Sequence, residues 1–270
     1  MAMMVRIFLI LSLGLGLLPP IAWSQTLSKQ EQLALLEQAN RAFEQALAQS
    51  EPQEAQGYYQ QAINGYKQLI AAGVQNAKLY YNLGNAYFLR NDVGRAIVHY
   101  RQGLRLEPGN RRLQANLRYV LSQRVDQFDT NVQQTFLSRL LFWQDELRLQ
   151  TQVTLALIGF LLAWAFAFAR LFWQRSLLGW LTAGAAFAFV LFAGSALVVH
   201  AQHTTTRHGV VVASETPVRK GNGESYALQF PQPLHSGAEF TVLEERGAWL
   251  HIRLENDASG WIRHEHASLW

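Results

Sequence analysis

The chain has 270 residues, of which half are apolar and 16% are charged, and its formal net charge is +4. It contains no cysteine, which excludes disulfide bridges, thiol nucleophiles and thiolate metal sites. The length allows about two or three small domains and not one large catalytic domain. The apolar residues are concentrated in blocks, which divides the chain into segments of different kinds.

Residues 1–24 have the composition of a secretory signal. Arg6 precedes an apolar run over residues 7–18, and small residues lead up to Ser24. A short basic end, an apolar centre and small residues at the cleavage site are typical of such signals. We therefore predict cleavage after Ser24. An uncleaved anchor is the alternative, and in both cases the chain from Gln25 onward is exported.

Residues 77–110 carry large and small residues at fixed offsets. Counted from Ala77, positions 4, 7, 8, 11, 20, 24 and 32 are Tyr80, Leu83, Gly84, Tyr87, Ala96, Tyr100 and Pro108. This spacing resembles the tetratricopeptide repeat (TPR), in which two interlocking helices form a hairpin. Gly103 departs from the pattern, which prefers alanine at that position. The resemblance predicts a helix-turn-helix fold and says little about function.

The residues upstream repeat part of this pattern. The matching pairs are Ala39 with Gly84, Asn40 with Asn85, Ala62 with Ala96, and Tyr66 with Tyr100. The upstream copy has a wider separation between its two helices, which predicts an insertion around residues 50–52. Residues 28–49 are predicted to form its first helix, with an apolar stripe of Leu33, Leu36, Ala39, Phe43 and Leu47.

A further helix is predicted over residues 111–128, because a repeat array needs a terminal helix to cover its last apolar face. Residues 25–130 are therefore predicted to be an all-α TPR solenoid of about two repeats and a cap. In such arrays the first helix of each repeat lines a concave groove that binds a peptide. The resemblance implies a protein-binding groove containing Asn40, Lys78, Tyr81, Asn82, Asn85 and Arg112.

One subclass of these grooves holds a C-terminal carboxylate with basic residues and asparagines. Asn40, Asn82 and Arg112 match that clamp, whereas Leu36 and Asn116 stand where the subclass has cations. The alternative is a polar groove exposed to solvent. Both interpretations stay open at this point.

The centre of the chain is predicted to meet a membrane. Residues 131–150 combine apolar side chains around Trp143 with scattered charges, which favours a helix in the membrane interface over an ordinary globular helix. Two apolar runs predict transmembrane helices at 151–174 and 177–199, since a crossing takes about 20 helical residues. The turn from Arg170 to Arg175 carries two arginines and no acid, which places it on the cytoplasmic side. Both flanking regions would then face the periplasm.

Residues 206–270 change to a period of two, with turn residues between short β-rich runs. Five or six short strands in this length predict a small all-β barrel. Trp249, after a Gly247 turn, and Gly260-Trp261-Ile262 resemble the bacterial SH3-like module. Trp249 and Trp261 are candidates for a peptide-docking groove, and their alternative role is the core of the barrel.

No constellation of residues indicates catalysis, so we expect neither an enzyme nor a cofactor. Histidines cluster at His200, His203 and His208 and again at His264 and His266, but without the spacing of a metal site. We therefore expect no metal. Eight arginines lie between residues 90 and 124. Because the exported region does not meet nucleic acid, a nucleic-acid site is disfavoured. The sequence instead predicts that these arginines lie on a solvated helix surface.

Taken together, the signal, the TPR array, the Trp143 segment, the two spans and Gly260-Trp261-Ile262 resemble the Bacteroides aerotolerance (Bat) family, component E. Ala39-Asn40 and the residues from Leu83 to Tyr87 carry this resemblance in the repeats. It implies a periplasm-facing component of the inner membrane that contributes to stress tolerance. It also implies von Willebrand-type membrane proteins and a MoxR-type ATPase system as partners.

The first functional hypothesis is a membrane-anchored scaffold with two protein-binding surfaces. The second is a cell-wall module whose barrel binds the stem peptides of peptidoglycan. A redox or protease subunit is disfavoured, because the chain has no cysteine and no recognisable nucleophile motif. The sequence alone names no client.

Overall fold

A computed structural model describes residues 27–128, 147–173, 175–205 and 207–270. For residues 201–205 the description covers the backbone only. The predicted signal sequence lies outside these ranges, as does most of the segment predicted to form an interfacial helix. The described chain consists of a helical region, a hairpin of two long apolar helices and a C-terminal antiparallel sheet.

The helical region contains five helices in two hairpins and a final helix. They are α1 (Lys29–Ala48), α2 (Pro52–Ala71), α3 (Ala77–Leu89), α4 (Val93–Leu106) and α5 (Arg111–Ser122). Short polar side chains begin α3, α4 and α5, because each accepts a hydrogen bond from a backbone N–H of the first turn. These caps are Asn76, Asp92 and Asn110. Ser28 and Glu31 form a reciprocal capping box at the start of α1.

The insertion predicted in the first hairpin does not form a loop. Helices α1 and α2 have 20 residues each, against 13 in α3 and 14 in α4. Residues 49–51 and residues 90–92 connect the two pairs equally tightly. The extra residues therefore lengthen both helices of the first hairpin, because continuing a helix satisfies the backbone hydrogen bonds that a loop would leave open.

The predicted apolar stripe of α1 is only partly correct. Ala39 is buried, but Leu33 and Leu47 are 55% and 58% exposed. The buried face consists instead of Ala39, Ala42 and Ala46. These small side chains let α1 approach α2 closely: a Cβ added to Gly65 of α2 would lie 2.7 Å from that of Ala39.

The last helix of this region, α5, ends at Ser122 and not at residue 128 as predicted. The chain beyond α5 contacts the C-terminal sheet. An Asp126 carboxylate oxygen accepts the backbone N–H of His235 at 2.6 Å, and the other oxygen lies 3.0 Å from the His235 Nδ1. The chain after Ser122 therefore contacts the sheet instead of continuing the helix.

Two long apolar helices follow, α6 (Leu149–Phe172) and α7 (Ser176–Thr205). Both are long and apolar enough to cross a membrane. Large apolar side chains are exposed all along them, including Trp164 at 65% and Trp180 at 78%. The bounds agree closely with the predicted spans, except that α7 continues beyond residue 199.

The two apolar helices pack against each other as an antiparallel hairpin. The Ser195 hydroxyl donates to the amide oxygen of Gln152 at 2.9 Å, and the Gln152 side chain is fully buried. At Gly159 an added Cβ would lie 3.0 Å from the backbone nitrogen of Phe189. At Gly184, by contrast, nothing lies within 4 Å of an added Cβ. The close helix contact occurs at Gly159 instead.

The C-terminal region consists of the strands β1 (Arg207–Val211), β2 (Glu215–Thr216), β3 (Leu234–His235), β4 (Glu239–Arg246), β5 (Trp249–Leu254), β6 (Ser259–Arg263) and β7 (Ala267–Leu269). Five of them form an antiparallel sheet in the order β6-β5-β4-β1-β7, and β2 pairs separately with β3. Alternate residues of β5 point inward, and Leu250 and Ile252 are fully buried with Ile262 of β6. Arg219 pairs with Trp261 across the free edge of β6.

The sheet packs directly on α4, which the sequence did not predict. Val210 of β1 is fully buried within the helical core, and Trp270 packs against the same cluster. The backbones come close at Gly94, where an added Cβ would lie 2.5 Å from the carbonyl oxygen of Val211. The Gly94 N–H donates to the Ser236 hydroxyl at 3.1 Å. The two regions therefore share a packed interface, although the apolar hairpin separates them in sequence.

Ion pairs reinforce this interface around Glu239, which is 6% exposed. The Arg101 guanidinium donates to both Glu239 carboxylate oxygens, at 2.8 and 2.9 Å. Arg124 lies 3.8 Å from the same carboxylate and also donates to both oxygens of Glu255. Two of the arginines that were predicted to be solvated therefore bind the sheet.

Candidate functional site

A concave surface of the helical region lies between α1 and α3. It is a cavity of about 260 Å³. Five apolar side chains line it: Leu33, Leu36, Leu69, Val74 and Leu79. Lys29 and Lys78, both exposed, contribute the cationic groups of its wall. We call this cavity the α1–α3 groove. An apolar cleft with ammonium groups suits an extended peptide that carries apolar side chains and negative charge.

Asparagine side chains form the polar part of the groove. The Tyr66 hydroxyl donates to the Asn40 amide oxygen at 2.8 Å, and the Asn82 amide group donates to the same oxygen at 3.4 Å. Burial raises the pKa of Tyr66 to about 12, so its hydroxyl stays protonated and donates. Because the Asn40 oxygen accepts both bonds, its amide N–H groups remain available. They have no partner among the residues that the structure describes.

The next pair of helices repeats this arrangement. The Tyr100 hydroxyl donates to the Asn85 amide oxygen at 2.7 Å, and Asn116 of α5 donates to the same oxygen at 2.8 Å. Burial raises the pKa of Tyr100 as well. The upstream correspondence of Asn40 with Asn85 is therefore present in three dimensions. These asparagines fix the spacing between successive helices before any ligand is considered.

Three of the residues predicted for the groove, Asn40, Lys78 and Asn82, line one cavity. Tyr81 and Asn85 are half-buried and lie outside its lining. Arg112 is exposed on α5, also outside the lining. The carboxylate clamp therefore stays a prediction.

The sequence did not predict that Lys29 and Leu33 line the groove. A lysine one turn before an apolar residue on the first helix gives no distinctive pattern. The helical spacing of Leu33 predicts a place in the apolar stripe of α1, but periodicity alone does not show which neighbour that stripe faces. Only the position of α3 shows that Leu33 and Leu36 line a cavity together with Leu79.

The two tryptophans proposed as a second groove lie on the outer face of the sheet. Trp249 and Trp261 are only 9% and 8% exposed. The Arg263 guanidinium lies 5.2 Å from the Trp249 ring centroid, and that of Arg246 lies 5.4 Å from the Trp261 ring. His251 stacks on the Trp261 ring. The indoles therefore present little area to a ligand, and their binding role stays a prediction.

Within the described ranges, no three His, Asp or Glu side chains converge in a way that could hold a metal ion. The ring of His208 stacks on Trp270. His264 and His266 are the first and last residues of a single 3₁₀ turn after β6, next to exposed glutamates. Each histidine lies near one glutamate, at 3.8 Å and 4.0 Å, and no third ligand group joins them in the described part of the chain.

Comparison with protein-family models gives a match to the tetratricopeptide repeat at residues 77–110. This segment is a TPR. It comprises α3, α4 and the turn that ends at Asn110. A comparison with curated proteins gives no match. The TPR implies protein–protein interaction, and α1 and α2 extend it with the same Asn–Tyr contact.

Proposed function

We propose that the chain is a non-enzymatic, membrane-anchored scaffold that binds a protein partner through the α1–α3 groove. The observation that carries this proposal is the groove itself, formed by the first helix of the TPR and the preceding helical hairpin. It offers an apolar floor, free amide donors of Asn40 and the ammonium groups of Lys29 and Lys78. This combination supports binding of an extended peptide segment with acidic character.

The hairpin of α6 and α7 supports the membrane part of the proposal. Its exposed surface is almost wholly apolar, and exposed apolar areas of this extent indicate contact with lipid or protein. The TPR region and the sheet contact each other, so both lie on one side of any membrane that the hairpin crosses. A hairpin of two crossings meets this condition, because a chain that crosses twice ends on the side where it began.

The export signal and the arginine bias further support a periplasmic location for both regions. In this proposal the protein resembles component E of the Bat family, with the von Willebrand-type and MoxR-type partners that the resemblance implies. The C-terminal sheet would be an SH3-like module. Because Trp249 and Trp261 are mostly covered, we favour the scaffold over peptidoglycan binding.

The topology is tested by fusing a reporter enzyme that is active only in the cytoplasm. A fusion after Trp270 should be silent, because we expect that terminus in the periplasm. The matched fusion, inserted in the turn between α6 and α7, should be active. Activity of the fusion after Trp270 would contradict the topology.

The groove is tested by photocrosslinking in native membranes. A photoreactive residue in place of Leu33 should crosslink a discrete partner, since Leu33 lines the groove and is 55% exposed. Leu47 is the matched control, because it lies on the same helix, is 58% exposed and is not part of the groove. The adduct at Leu33 should also weaken when Lys78 is replaced by glutamate. Equal adducts at both leucines would refute the groove as the binding surface.

A further inference from the structure

The eight arginines between residues 90 and 124 separate into two groups in the structure. Four are engaged: Arg90 with Gln60, Arg95 with Asp92, Arg101 with Glu239, and Arg124 with Glu239 and Glu255. The other four are exposed and have no ion pair within the described residues. They are Arg105, Arg111, Arg112 and Arg118. The contacts within the helices and with the sheet therefore do not account for this second group.

Within the described residues, α5 is the last helix of the array, and one of its faces is charged. Counted in the TPR register, Arg118 stands at the position of Gly84 in α3 and Ala39 in α1. At those two positions a neighbouring helix packs so closely that only a small residue fits. An arginine at the equivalent position excludes another helix packed in the same way. Arg111, Ala115, Arg118 and Ser122 fall on one side of the helix, and all four are exposed.

This face begins beside the first apolar helix. Arg148, the residue before α6, pairs with Glu107 at 2.9 Å. The other oxygen of Glu107 accepts a hydrogen bond from Asn110, which caps α5. The start of α5 and the start of α6 are therefore joined through the side chains of Asn110, Glu107 and Arg148. If α6 crosses a membrane, the first turn of α5 lies at the level of the lipid headgroups.

We infer that Arg111 and Arg118 bind the phosphate groups of anionic phospholipids in the bilayer that holds α6 and α7. This inference rests on the membrane anchoring proposed above. A guanidinium donates two parallel hydrogen bonds to a phosphate. Cationic side chains next to a span are attracted to anionic lipid surfaces and lose this attraction with distance and salt. Lipid contact would fix the tilt of the helical region and keep the α1–α3 groove at a set height above the membrane.

The test uses the full chain in lipid nanodiscs made of phosphatidylcholine, or of phosphatidylcholine mixed with phosphatidylglycerol. Because the chain has no cysteine, a dye attached through Ala115→Cys reports uniquely on the charged face of α5. Both kinds of disc contain the same share of a lipid that carries a nitroxide quencher on its headgroup. Quenching should be at least about twofold stronger in the anionic discs, and it should fall when salt is raised.

The double variant Arg111→Gln/Arg118→Gln should quench equally in both kinds of disc. The control Arg41→Gln/Lys67→Gln removes the same charge from exposed sites on α1 and α2 and should keep the difference. Equal quenching of the parent chain in both discs, or a difference that survives the double variant, would overturn the inference alone. A chain that does not enter the discs would overturn the membrane anchoring and the lipid contact together.

Discussion

Gly84→Leu is expected to destabilise the TPR by about 1–3 kcal/mol, the usual cost of overpacking a core. A Cβ at Gly84 would lie 2.5 Å from Cε1 of Tyr100, so even the first added carbon requires that ring to move. Tyr100 is 1% exposed and is held by Asn85, so it has little room to yield. Amide hydrogen exchange of α3 and α4, measured on the detergent-solubilised chain, should accelerate about tenfold or more.

Gly57→Leu is the matched control. Gly57 also lies inside a helix, but nothing is within 4 Å of a Cβ at that position. Removing a glycine from a helix stabilises it by up to about 1 kcal/mol, so this variant should exchange at the parent rate or more slowly. If the Gly84 variant behaved like the Gly57 variant, the register of the two TPR helices would be wrong.

Glu239→Ala is expected to loosen the contact between the C-terminal sheet and the helices. The substitution leaves Arg124, whose side chain is 10% exposed, and the half-buried Arg101 without a shared carboxylate. Removing one partner of a buried ion pair costs about 3–5 kcal/mol. Here we expect the lower end of that range, because Arg124 keeps Glu255 and Arg101 has access to water. Exchange should increase in α4 and in the segment that contains Ser236.

Glu245→Ala provides the comparison on the same strand. Glu245 pairs with Arg207 at 2.7 Å, but both side chains are exposed, and such surface pairs contribute about 1 kcal/mol or less. Its exchange pattern should match that of the parent chain. An unchanged pattern for Glu239→Ala as well would show that apolar contacts such as Val210 hold the interface without the ion pairs.

The contact between sheet and helices bears directly on the proposed scaffold. It uses the first turn of α4 and the chain after α5, whereas the groove lies between α1 and α3. The sheet therefore leaves the groove open. It packs against the end of the TPR opposite the first hairpin and restricts the motion of that end. This should reduce the conformational entropy that the TPR region loses when it binds a partner.

The sequence alone determined the features that depend on local geometry. The spacing of Gly84, Ala96 and Tyr100 predicted the TPR hairpin, because a helix returns a side chain to the same face at a fixed interval. The two apolar runs predicted α6 and α7, because the length and composition of a run are also local properties. Asn40 and Asn82 could be assigned to one groove once the repeat register was known.

Only the tertiary structure decided which surfaces meet. Arg101 and Glu239 are 138 residues apart, and no sequence pattern around either residue predicts that they pair. The same holds for Asp126 and His235, whose contact holds the chain after α5 against the sheet. Periodicity shows which face of an element is buried but not the element that covers it. Each of these long-range contacts forms because a buried charge or an unpaired backbone group needs a partner, and the folded chain determines where that partner lies.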